Sequence, residues 1–189
     1  MVSFNSIEWI AAALGLAGVL LGLRQSAVMW PCWAVSSGLY VGLMWQQRLY
    51  AQAGLMCVFV LSAGLGAWRW ARSVARDEAQ VRPIRWPLAG LGFFAAALLG
   101  LAIVRLGSAL DAENASLDAA VTALSLLAMA LTSERYLLCW PVWGVVNLLS
   151  LALFAQQALW ATTLLYAVQL LLAYLGFRAW RRDCPRVFH

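Results

Sequence analysis

The sequence predicts an all-α integral membrane protein: seven transmembrane helices, built as two parallel three-helix repeats joined by a linker helix (3+1+3). Three observations carry this. Of 189 residues, 64% are apolar and only 11% charged, with a mean hydropathy of +0.79. The apolar residues gather into seven runs near the ~17–25 residues that cross a bilayer. The chain also matches itself, without a gap, at a shift of 110 residues.

Composition excludes whole classes. An ordinary domain is about 45–50% apolar and about 25% charged, and a soluble chain this small has too much surface to hide the excess. A cytosolic globular enzyme, a disordered chain and a nucleic-acid-binding module are therefore excluded. All 13 basic residues are Arg, so no lysine is there to hold nucleotide phosphates or form a Schiff base. The single histidine is His189, which excludes a zincin helix or a serine–histidine dyad within the membrane. Cys32, Cys57, Cys139 and Cys184 show no C-x-x-C spacing and are expected as structural thiols without a disulfide framework. No catalytic residue, metal site or cofactor is expected. No basic residue precedes Arg24, so the charged start of a signal peptide is missing and the first run is expected to remain in the mature protein.

The runs follow in order, at roughly 7–23, 28–45, 51–70, 87–105, 117–132, 137–155 and 159–178. They are continuous, which points to helices; barrel strands would alternate polar and apolar residues. The second and sixth open with Trp30-Pro31 and Trp140-Pro141, prolines suited to a first helical turn, where a missing N–H breaks no bond. Gly15, Gly18, Gly22, Gly64 and Gly66 are expected to admit close helix packing. Two connectors are longer: 71–86, with Arg72, Arg76, Arg82, Arg85, Asp77 and Glu78, and 106–116, with Asp111 and Glu113. The organisation read from this is a first repeat (1–70), an Arg-rich loop with the linker helix (71–110), and a second repeat with its tail (111–189).

Orientation follows from the arginines. Alternating the run ends puts Arg24, Arg69, Arg72, Arg76, Arg82, Arg85, Arg135, Arg178, Arg181, Arg182 and Arg186 on one side, against Arg48 and Arg105. Eleven against two makes the first side cytoplasmic. The C-terminus is then inside and, with seven spans, the N-terminus outside.

The repeat is specific. At the 110-residue shift, Trp30-Pro31-Cys32-Trp33 falls on Trp140-Pro141-Val142-Trp143 and Gln46-Gln47 on Gln156-Gln157. Leu49-Tyr50-Ala51 falls on Leu159-Trp160-Ala161, and Gly66, Trp70 and Arg72 on Gly176, Trp180 and Arg182. A directly fused copy of three spans would be inverted. The fourth span restores the parallel orientation, as in the SWEET transporters, whose substrate lies near the midplane at the repeat interface.

Polar groups inside spans are costly unless partnered, so they mark candidate contacts. Trp143, Asn147 and Ser150 share one face of the sixth span, and Trp33, Ser37 and Tyr40 the matching face of the second. Thr162, Tyr166 and Gln169 stripe the seventh span; Asp118, Thr122 and Ser125 stripe the fifth. The functional reading is a pathway for a small organic molecule. Tryptophan faces would stack a planar ring, and Asn147, Gln169 and the hydroxyls would bond ribose or amide groups. Trp30 and Trp140, at the cytoplasmic ends, read as gate or interface aromatics; the Gln pairs read as polar caps. Glu8, Asp118 and Glu134 sit near run ends. With no deep carboxylate for ion coupling, facilitated diffusion is favoured.

Trp140-Pro-Val-Trp143-x3-Asn147-x2-Ser150, then Tyr166, Gly176 and Trp180, resembles the PnuC family of vitamin transporters. So do Leu124-Ser-Leu-Leu-Ala-Met129 and the first half from Ile7-Glu8 through Leu49-Tyr50-Ala51 to Trp70. The resemblance implies a seven-helix 3+1+3 fold in a bacterial inner membrane. It implies uptake of nicotinamide riboside, with thiamine or riboflavin in related subgroups, by uniport and trapping through a cytoplasmic kinase. It also implies a homotrimer. Family members that carry nicotinamide riboside often have Asn where this chain has Ser37. A structural or assembly role in the membrane is the alternative of a different class.

Overall fold

The computed structural model describes residues 4–46, 50–76, 80–109, 115–156 and 160–184. The sequence readings of Gln47, Arg48, Leu49, Asp77, Glu78, Asp111, Glu113, Gln157, Leu159, Arg186 and His189 lie outside them. So do those of the side chains of Tyr50, Ala51, Asp118, Gln156, Trp160, Ala161 and Thr162. Among the described residues there are seven helices: α1 (Phe4–Leu23), α2 (Met29–Gln46), α3 (Tyr50–Ala75), α4 (Trp86–Ala109), α5 (Ala115–Ser133), α6 (Cys139–Gln156) and α7 (Trp160–Asp183).

All seven expected runs are helices. Four carry windows long and apolar enough to cross a membrane: Ser6–Leu23, Ala53–Ala75, Trp86–Arg105 and Thr163–Asp183. In the α4 window only 11% of residues are buried. Leu91, Phe94 and Leu98 there are all more than half exposed. An apolar helix bare on most of its circumference is stable only where lipid or protein replaces water. α3 and α7 run past their expected ends. In those added turns Arg72 lies over the Trp68 ring at 4.6 Å and Arg181 over Phe177 at 5.9 Å, contacts that the i, i+4 spacing of a helix provides.

The chain divides into two compact units, residues 1–79 and 80–189. In the first, α2 packs on α1 and on α3; in the second, α5 packs on α4 and α6, and α6 on α7. The linker helix α4 thus goes with the second repeat.

The repeat extends to backbone detail. The α1–α2 turn ends α1 with Gln25 at φ 53°, and the α5–α6 turn ends α5 with Arg135 at φ 58°; the two are 110 residues apart. Ser26 N–H bonds Leu21 O at 3.0 Å and Gln25 N–H bonds Gly22 O at 3.0 Å. In the second copy Tyr136 N–H bonds Leu131 O at 3.0 Å and Arg135 N–H bonds Thr132 O at 3.1 Å. This paired bonding around a left-handed residue is the Schellman motif, which satisfies the last carbonyls of a helix. Glycine usually takes that position; here both copies place a long side chain there.

One feature has no counterpart among the described residues of the first unit. Arg82 N–H donates to Arg135 O at 3.0 Å, and Leu137 N–H donates to Arg82 O at 3.1 Å, a short parallel bridge that clips the Arg-rich connector to the α5–α6 turn. Val81 is buried beneath it, 1% exposed. Burial, and then the neighbouring Arg82 guanidinium, push the Arg135 pKa below the usual arginine value.

The glycine expectation holds in part. A Cβ on Gly18 would collide with the Trp33 ring and one on Gly66 with the Trp30 ring, while one on Gly15 would press Ser36 Oγ at 3.2 Å. Gly64 does not belong with them: nothing described lies within 4 Å of its Cβ position, because it faces away from the α2 contact that Gly66 makes.

Candidate functional site

In each repeat the second helix enters its bundle through a tryptophan. Trp30 packs edge-on against Trp70 of α3, with ring centroids 5.6 Å apart at 83°. Trp140 packs against Trp180 of α7 in the same way, at 5.4 Å and 87°. Edge-to-face geometry sets the positive rim of one indole against the negative face of the other. Each ring also lies on a glycine, Gly66 or Gly176, whose missing Cβ makes room for it. The two clasps are repeat equivalents residue by residue.

That placement bears on the reading of the two rings as gate or interface aromatics. An interface aromatic keeps its polar end in the headgroup layer, but Trp30 is 0% and Trp140 6% exposed. Both indole N–H groups are buried without a hydrogen-bond partner among the described residues. These two tryptophans are enclosed by protein rather than set in a belt.

The deeper tryptophans are half-buried and tied by their N–H groups. Trp33 donates to Gly15 O of α1 at 3.3 Å, and Trp143 donates to Thr132 Oγ1 of α5 at 3.1 Å. Beyond Trp143 on the same face of α6 come Asn147, 4% exposed, and Ser150, 0% exposed. The Ser150 hydroxyl has no partner among the described residues. A buried polar group left so costs roughly 1–3 kcal/mol, so this stripe holds unspent hydrogen-bonding capacity. The counterparts Ser37 and Tyr40 on α2 are half-buried. Their neighbour Ser36, which sequence reasoning passed over, is buried and donates to Ala11 O at 2.7 Å, fastening α2 to α1. Thr122 on α5 and Tyr166 and Gln169 on α7 are half-buried. Ser125, read with Thr122 as one stripe, donates back to Val121 O at 2.7 Å within its own helix.

A groove of about 320 Å³ lies between α4 and α5, lined by Phe93, Ala96, Gly100, Ala119 and Ala123 among others. Apart from Ser116 its lining is apolar, and it includes none of the candidate residues. Among the described residues no cluster of His, Cys, Asp or Glu could hold a metal ion. Described carboxylates stand near helix ends, at Glu8, Glu134 and Asp183. Among the described helical arginines, Arg72 stands in the last turn of α3 and Arg181 and Arg182 in that of α7, with Arg69, Arg105 and Arg178 up to about a turn further in. The interior polar groups named above are neutral.

A family model described as nicotinamide mononucleotide transporter matches residues 5–182. The chain belongs to this family. It is 26% identical over 206 aligned positions to the nicotinamide riboside transporter PnuC of Escherichia coli (strain K12), covering 92% of this chain and 85% of that protein. The same figures hold for the Shigella flexneri protein of that name. A crystal structure of the vitamin B3 transporter PnuC has the same fold, with a TM-score of 0.76 at 20% identity, over 93% of this chain and 80% of that one. The resemblance to PnuC proteins read from the tryptophan spacing is thus shown, as is the seven-helix membrane fold. Membership makes the chain a multi-pass membrane transporter of the bacterial inner membrane type.

Proposed function

We propose that this chain takes up nicotinamide riboside by facilitated diffusion, with phosphorylation by a cytoplasmic kinase trapping the vitamin. The observation that carries the reading is the family match over residues 5–182, joined by relatives named for nicotinamide riboside. Charge separates the riboside from the mononucleotide that gives the family its description. A phosphate in a low-dielectric passage needs a cation beside it, and the interior stripes offer only neutral groups: Ser37, Tyr40, Asn147, Ser150, Tyr166 and Gln169. A riboside presents hydroxyls, an amide and a planar cationic ring, which neutral donors, acceptors and indole faces suit. That no described carboxylate lies deep in a helix supports transport without ion coupling.

In this reading Trp143, Asn147 and Ser150 contact the vitamin, helped by Tyr166, Gln169 and Thr122. Trp33, Ser37 and Tyr40 are the corresponding contacts in the first repeat, and each set is tested by itself. The arginine distribution supports an external N-terminus and a cytoplasmic C-terminus. A homotrimer is the proposed assembly.

Uptake into proteoliposomes tests the reading. Labelled nicotinamide riboside should equilibrate without concentrating, and unlabelled riboside should compete better than nicotinamide mononucleotide, thiamine or riboflavin. Accumulation driven by an imposed proton or sodium gradient would overturn uniport. Asn147→Leu should weaken binding several-fold, the loss of a hydrogen bond worth about 0.5–1.5 kcal/mol, in protein that still inserts. Normal binding with lost thermal stability would make the stripe a helix contact and favour a structural role.

A further inference from the structure

By the repeat, Trp33 and Trp143 should stand alike, and they do not. Trp33 reaches Gly15 O of α1 at 3.3 Å, its ring lying over Gly18. The counterpart of Gly18 is Ala128, 0% exposed, so the second repeat has filled that seat with a methyl group. Trp143 instead reaches Thr132, whose counterpart is Gly22, a residue with no side chain to accept a bond. In repeat terms the two acceptors differ by seven helical positions, about 10 Å along the axis.

Thr132 is built as a fixed acceptor. It is 2% exposed, and its hydroxyl donates its one proton to Ala128 O at 2.7 Å. The oxygen lone pairs are then left to accept, and the Trp143 N–H occupies one of them. A hydroxyl whose proton is committed cannot rotate away, so the indole plane of Trp143 is held against α5.

We propose that Thr132 is a positioning residue for ring recognition: it orients the Trp143 indole in a way the first repeat does not use. Gly18 sets the different orientation of Trp33. The two tryptophans are therefore unlike stacking surfaces, and loss of one is not made good by the other. This inference rests on the reading of Trp143 as a substrate contact.

Calorimetric titration of nicotinamide riboside into the purified full chain tests it. Thr132→Val, which keeps the shape and removes the hydroxyl, should weaken binding about 3–10-fold, the loss of one hydrogen bond. Thr132→Ser, which keeps the hydroxyl, should stay within about twofold of the native chain by the same reasoning. Trp143→Phe, which keeps a ring without the N–H, should reproduce the valine loss, and it carries the test if the valine variant does not fold. Added to Trp143→Ala, Thr132→Val should cause no further loss, because the ring it positions is gone. Losses that multiply in that double variant overturn the inference. So does native binding by Thr132→Val, or by Trp143→Phe where the valine variant does not fold. Native binding by Trp143→Ala overturns the pathway reading itself, which distinguishes the two failures.

Discussion

The two repeats are alike where they fold and unlike where they would act. Both end their first helix with a long side chain in the left-handed position, Gln25 and Arg135. Both seat a tryptophan on a glycine and against a second tryptophan. One turn deeper the equivalence stops: Trp33 and Trp143 find different acceptors, and where the first copy has Ser37 and Tyr40 the second has Asn147 and Ser150. The difference teaches that a duplicated frame conserves its helix-locking contacts and diversifies the polar lining it carries.

The largest expected effect tests the shared frame. Trp70→Ala and Trp180→Ala each empty a fully buried site and should each cost about 3–5 kcal/mol, read as equal falls in the thermal midpoint in detergent. A loss confined to one of them would break the equivalence of the clasps. Gly66→Ala and Gly176→Ala should follow, at about 1–3 kcal/mol each from overpacking against an indole. The next pair probes the divergence. Gly18→Ala should cost about 1–3 kcal/mol by expelling the Trp33 ring, whereas the reverse change, Ala128→Gly, should cost only about 0.5–1 kcal/mol from helix propensity. Equal costs would mean that the two rings sit alike after all. Ser36→Ala should cost about 0.5–1.5 kcal/mol, the loss of one interhelical hydrogen bond. The smallest effect has the opposite sign. Gln25→Gly should stabilise by under about 1 kcal/mol, because relief of the left-handed backbone is offset by glycine's greater chain entropy.

Much of this frame is legible in the sequence for physical reasons. Hydrocarbon admits few structures, so seven apolar runs give seven helices, and tryptophan is scarce enough that its register at a 110-residue shift exposes the duplication. The same logic hides the divergence. Thr132 is absent from the candidates: it is the last residue of the fifth run, two turns beyond the stripe that ends at Ser125, and the repeat aligns it with Gly22. Its signal was available in another form, as a hydroxyl one turn before a hairpin that returns a tryptophan to it. Trp70 and Trp180 are visible as matches, but their edge-on pairing depends on a crossing of helices that spacing along one chain does not specify. Trp30 and Trp140 lie at helix ends, as expected of belt residues, and only burial distinguishes the two situations.

The pair of backbone hydrogen bonds between Arg82 and the 135–137 turn bears on where the chain tolerates a cut. Those bonds assign the connector from residue 80 onward to the second unit, along with α4. Fission just ahead of Gln80 leaves each fragment with its own contacts intact, whereas fission after Arg85 strips the second fragment of its clip and of buried Val81. Two genes split at the first point should complement one another in a cell, and two split at the second should do so poorly.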